Sequence, residues 1–126
     1  MNIKWISIVT AIAISLIISC DYNTYQQGKQ LYLDNCGHCH MTDGSGVGDL
    51  YPSLDNLGIN YDYTNISCTI INGKKSPNSV VEMVPITNLT DIEMNNIINY
   101  LKCVMNKQEG EISIKTTREQ ILECQK

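Results

Sequence analysis

Cys36-Gly37-His38-Cys39-His40 constrains this chain more than any other stretch of it. Two cysteines separated by two residues and followed at once by histidine read as a covalent haem attachment site. The thiols bond the porphyrin's vinyl groups and the histidine ligates the iron. A chain so marked folds around a large apolar plate, and wrapping that plate becomes its main structural task. Two other uses of paired cysteines fit less well. A redox dithiol of this spacing sits in a βαβ setting, and nothing in residues 25–60 reads as strand. A structural zinc site takes four ligands, usually as Cys/His couples. Here Cys20, Cys68, Cys103 and Cys124 stand apart, and His38 and His40 are the only histidines.

Residues 1–19 are expected to be a leader that is removed. Lys4 supplies a positive start, and Ile6 to Ile18 is apolar apart from Ser and Thr. That run is shorter than the roughly 20 residues that span a bilayer, and it suits a signal peptide. Ile17-Ile18-Ser19-Cys20 resembles the bacterial lipobox, which implies cleavage before Cys20 and acylation of that residue. An ordinary signal peptide with an incidental cysteine is the alternative. Several acyl chains anchor stably, whereas one binds reversibly. Residues 20–24 then read as the lipidated cysteine and a short linker. The expected address is the bacterial cell envelope, lipid-anchored to a membrane and facing the periplasm or exterior.

Loss of Lys4 with the leader leaves 8 basic against 13 acidic residues, a formal charge of −5. Lys74 and Lys75 form the single local basic cluster, so neither a basic docking face nor nucleic-acid binding is supported. Two of the six cysteines are assigned to haem and one to lipid, leaving Cys68, Cys103 and Cys124. Outside the cytoplasm a disulfide is permitted. Spacing does not decide its pairing. Cys68 with Cys124 is the expectation, because a short C-terminal tail gains most from being tied down; Cys103 with Cys124 is the rival.

Helical periodicity dominates the rest. Thr24 with Gln27 forms a capping box for a helix that carries Tyr25, Gly28, Leu31 and Tyr32 on one face and runs into Cys36. Met41 to Pro52 is a turn-rich loop containing Gly44, Gly46 and Gly48, without the Gly-Lys-Ser/Thr ending of a phosphate loop. Residues 63–72 suit a short helix ended by Gly73 as a left-handed cap. Thr90 and Glu93 form a second capping box, opening a helix with Met94, Ile97, Ile98, Leu101 and Met105 on its apolar stripe. A last short helix is expected from Thr116 or Thr117, carrying Ile121 and Leu122. With no period-2 strand, the expected fold is all-α, three to five helices around one covalently attached haem.

From about Tyr25 to Met105 the chain resembles the class I c-type cytochromes with one haem. In that family the first and last helices cross at a glycine and an aromatic residue four apart. Gly28 and Tyr32 match the pair, with Ile97 and Tyr100 expected opposite them. Glycine suits such a crossing because no Cβ separates the backbones. Tyr51-Pro52-Ser53-Leu54 resembles the family's loop after the haem motif, which implies that the Pro52 carbonyl accepts the Nδ1–H of His40. The cytochrome domain is placed at 25–105, and 106–126 is expected to be an extension with a short helix.

The ligand opposite His40 sets the chemistry. His38 is pinned between the two cysteines, Met41 adjoins His40, and Met94 and Met105 fall on a helical apolar stripe. Met83 lies 43 residues beyond His40 in an irregular stretch before the last core helix, where the resemblance places the distal methionine. The family usually has proline directly after that methionine; here Val84 intervenes before Pro85. Tyr51, Tyr61 and Tyr63 are candidates to pack on haem or bond its propionates. The expected function is one-electron transfer through a single haem c with His40 and Met83 on the iron, between redox protein partners and without catalysis by the chain itself. The alternative is an open-site haem protein that reacts with peroxide or senses a gas.

Overall fold

The structure, a computed structural model, describes residues 24–58, 62–75 and 81–125. The expected leader, Cys20 and its linker to Asn23, and Tyr61 lie outside the described residues. So does the side chain of Thr24, and with it the first capping box. Among the described residues five α-helices follow one another: α1 (Thr24–Asn35), α2 (Gly37–His40), α3 (Ile66–Asn72), α4 (Asp91–Asn99) and α5 (Ile114–Cys124). A 3₁₀ turn at Tyr63–Asn65 leads into α3. Among the described residues, extended pairing is limited to two isolated antiparallel bridges, Val47 with Tyr51 and Lys74 with Met83. The fold is all-α. No helix among the described residues is long and apolar enough to cross a membrane.

The core is the crossing of α1 on α4. Gly28 lies where a Cβ would overlap the Asn96 carbonyl oxygen and come within 2.8 Å of Tyr100 Cβ. The nearest neighbours at this crossing are thus Asn96 and Tyr100, with Ile97 wholly buried in the core beside them. One turn on, the rings of Tyr32 and Tyr100 meet at 5.7 Å between centroids, tilted by 45°. Met94, Ile97, Ile98 and Leu101 complete the buried face from α4 onward, and Ile66 and Ile70 reach it from α3. Each such side chain contributes about 1.5–3 kcal/mol by leaving water.

Helix α4 begins as expected of its capping box. Thr90 accepts from the Glu93 N–H, and the Glu93 carboxylate accepts from the Thr90 N–H at 2.8 Å. The helix does not continue regularly to Met105. Tyr100–Met105 is wound as a π-helix. The Asn106 N–H bonds the Leu101 carbonyl at 3.0 Å, and its side-chain amide bonds that same carbonyl at 2.8 Å. One asparagine thereby holds the wider turn closed.

Beyond Met105 the chain returns across α3 and α4. Helix α5 starts at Ile114, two residues before the expected Thr116, because Ser113 accepts from the Thr116 N–H at 3.1 Å and caps it there. Ile121 packs against the core as expected, but the rest of its buried face is polar. Thr117 and Gln120 are buried and Leu122 is 62% exposed, because the opposing surface is polar. Asn95 donates to Thr117 Oγ1 at 2.8 Å, and buried Ser67 donates to Gln120 Oε1 at 3.1 Å. Asn95 and Asn99 also hold the Ile112 carbonyl, at 2.9 and 3.0 Å, while the Ile112 N–H returns to Asn99 Oδ1 at 2.7 Å. A disulfide joins Cys68 on α3 to Cys124 on α5. Cys103, the rival partner, is a half-buried free thiol.

Gly28→Ala is expected to destabilise the protein by about 1–3 kcal/mol, since the added methyl meets backbone that cannot swing aside. Chemical denaturation of the holoprotein measures it. Replacing Cys68 and Cys124 together with serine is expected to cost about 2–4 kcal/mol, the range for closing a loop of this order. A thermal unfolding midpoint unchanged by the double substitution contradicts that.

Candidate functional site

The sequence around Cys36 places its reactive groups by continuing one helix into another. The Cys36 N–H bonds the Tyr32 carbonyl at 2.7 Å, so α1 carries directly into the motif. The Cys36 carbonyl then takes the N–H groups of Cys39 and His40, at 3.1 and 2.9 Å, closing the short turn of α2. Cys36 and Cys39 are free thiols on this turn, the first buried and the second exposed. Burial, then the neighbouring Cys39, pushes the Cys36 thiol up to about 11.

His40 is held from the other side of the loop. Its Nδ1 lies 2.8 Å from the Pro52 carbonyl oxygen. A carbonyl only accepts, so Nδ1 carries the proton, and in the neutral ring the lone pair then belongs to Nε2. That is the tautomer needed for iron coordination, with ring orientation and basicity set by the partner behind it. The loop between them is closed by its own backbone: Gly46 N–H to the His40 carbonyl at 3.0 Å, and Leu54 N–H to the Gly44 carbonyl at 2.7 Å.

Met41, directly after His40, adopts φ 65° and ψ 160°. Glycine reaches that region freely, while a methionine there stores about 1–3 kcal/mol of strain. Tyr32 holds it: the buried hydroxyl donates to the Met41 carbonyl at 2.6 Å, and the Gly44 N–H shares that carbonyl at 3.2 Å. Burial, then the nearby Cys36, raises the Tyr32 phenol far above its ordinary value, so it stays a donor. In the sequence Tyr32 carries only a helix-packing signal, and nothing local marks its hydroxyl.

Met83 lies in a separate segment. Its N–H and carbonyl pair with Lys74, at 3.0 and 3.1 Å, and its half-buried side chain packs against the core. Gly73 makes this possible. At φ 67° and ψ −174° it leaves α3 in a glycine-only extended form, not the left-handed cap expected, and a Cβ there would overlap the Met83 carbonyl. The other methionines are committed elsewhere: Met94 is 1% exposed in the core, and Met105 packs against Gly44 on the His40 loop. Of the candidate tyrosines, Tyr63 is buried and donates to the Leu57 carbonyl at 3.1 Å; burial, then Cys103, pushes its phenol up to about 12. Tyr51 pairs through its backbone with Val47.

Two free thiols on one turn, an adjacent imidazole with Nε2 unencumbered and an apolar helical core suit covalent haem. They define a small all-α electron-transfer domain. A family model described as cytochrome c matches residues 25–104, and the chain belongs to the cytochrome c family. Membership implies covalently bound c-type haem. The chain is also 34% identical over 83 residues to the cytochrome c subunit of a quinone alcohol dehydrogenase from Gluconobacter oxydans (strain 621H). That alignment covers 60% of this chain and 17% of the relative, so the chain spans only a small part of that protein.

Tyr32→Phe is expected to cost about 1 kcal/mol, leaving the strained Met41 carbonyl with the longer Gly44 bond alone. Denaturant titration of holoprotein beside wild type gives the difference, and equal midpoints sink the clamp.

Proposed function

We propose that this chain carries single electrons between redox proteins outside the cytoplasm, with His40 and Met83 as the two axial ligands of one haem and a lipid on Cys20 as its anchor. The observation that carries the reading is the 2.8 Å bond from His40 Nδ1 to the Pro52 carbonyl, which reserves Nε2 for a metal. Haem, when bound, supplies a one-electron iron couple. Cys36 and Cys39 are the residues to hold it through two thioethers. Met83 is favoured for the remaining position because it lies on a segment separate from His40, whereas Met94 is buried in the core, Met105 lies against Gly44 on the His40 loop and Met41 adjoins His40.

A methionine opposite histidine raises the reduction potential and leaves no site for peroxide or a gas. Bound haem would supply one-electron transfer, with Cys36 and Cys39 holding the porphyrin and His40 and Met83 the iron. The Cys68–Cys124 disulfide supports an oxidising compartment. The relative is named as a subunit of a dehydrogenase, which supports redox proteins as partners and a place within a larger complex.

Visible spectra of the oxidised holoprotein test the ligand set. The weak long-wavelength band of sulfur-ligated ferric haem is expected in wild type and absent from Met83→Ala, whose reduction potential falls and whose reduced form binds carbon monoxide. A wild type that lacks the band and binds carbon monoxide has an open site, and the carrier reading gives way to a peroxide-reactive or gas-sensing one.

A further inference from the structure

Asn106 stands just beyond the family-matched span, yet its side chain reaches into the loop that supports His40. Its amide donates to the Leu54 carbonyl at 3.0 Å as well as to Leu101 at 2.8 Å. Leu54 is two residues past Pro52, and its N–H closes the loop on Gly44 at 2.7 Å. Gln108, from the same segment, donates to the Leu57 carbonyl at 2.8 Å. The loop bearing the Pro52 carbonyl is thus fastened at Leu54 and Leu57 to residues that follow the π-helix. The π-helix explains the reach: it carries the chain past Met105 with Asn106 facing both its own last turn and Leu54.

We infer that Asn106 is a positioning residue for the iron's histidine ligand. By fixing the Leu54 carbonyl it fixes the Pro52 carbonyl, and with it the strength of the bond to His40 Nδ1. The inference rests on the reading of His40 as that ligand. A firm bond at Nδ1 makes the imidazole more electron-donating, which favours oxidised iron and lowers the potential. Loosening the loop weakens the bond and raises the potential, without touching a ligand.

The test compares holoprotein carrying Asn106→Ala with wild type and with Thr90→Ala, which removes the α4 capping box and serves as the control for lost stability. Two readings are taken: solvent exchange of the His40 Nδ1 proton by NMR in the reduced protein, and the reduction potential. Asn106→Ala is expected to speed that exchange about tenfold, the factor equal to ~1.4 kcal/mol of lost hold, and to move the potential upward. Thr90→Ala is expected to leave both near wild type. Should Asn106→Ala yield no holoprotein, Asn106→Ser gives the same readings, its hydroxyl being too short to reach Leu54. Exchange and potential equal to those of wild type or of Thr90→Ala overturn the inference. A wild-type His40 ring without the large shifts of a haem-bound imidazole overturns the ligand reading instead, whatever Asn106 does.

Discussion

Backbone against backbone at Gly28 and Asn96 is the contact from which the rest of the molecule is laid out. Because no Cβ intervenes, α1 lies close on α4, and that closeness brings the Tyr32 ring to Tyr100. Tyr32 in turn sits one helical turn before Cys36, so its ring packs in the crossing while its hydroxyl reaches the strained carbonyl after His40. A single helix therefore transmits the position of the core crossing to both cysteines and the histidine. Interiors packed at crystal density pass on such displacements with little slack.

A second layer surrounds this frame and has a different chemistry. The segment after Met105 meets α3 and α4 through polar bonds of Asn95, Asn99, Ser67, Thr117 and Gln120, beside the half-buried Ile112 and Ile121. Net stabilisation per hydrogen bond is only about 0.5–1.5 kcal/mol, so a polar seam of this kind adds register more than raw stability. Lys102 spends its ammonium on the Glu109 and Gly110 carbonyls, and Tyr25 Oη donates to Glu111 at 2.8 Å, continuing the seam along the same edge. The bond to Glu111 is also the main reason the Tyr25 phenol is raised above its ordinary value.

Periodicity and caps made the helices legible. Thr90 and Glu93 mark the start of α4, and the apolar spacing of Met94, Ile97, Ile98 and Leu101 names the face it buries. What periodicity cannot register is a change of winding. Tyr100 to Met105 carries helical spacing, yet the stretch is wound as a π-helix, with Asn106 bonded twice to Leu101 at its end. Helix α5 is legible through Ile121, which packs on the core, but Leu122 gives a false signal, and the buried Thr117 and Gln120 carry no apolar signal at all. At the site, the five-residue motif and Pro52 name chemical groups by type. The Tyr32 hydroxyl, the Met41 backbone and the reach of Asn106 depend on contacts between residues distant in sequence or on dihedral angles, and no local pattern encodes them.

The disulfide from Cys68 to Cys124 changes the order in which the molecule can come apart. Segments that are last in a chain and held by polar contacts are ordinarily the first to fray, opening at low free energy while the core stays shut. Here the segment after Met105 is covalently fastened at both ends, by the peptide chain leading from α4 and by sulfur to α3. Releasing its hydrogen bonds then gains less freedom than a free tail would, because the released segment stays tethered at Cys124. The tail therefore stays beside α3 even when its hydrogen bonds open, and the polar seam re-forms from a tethered end instead of a free one.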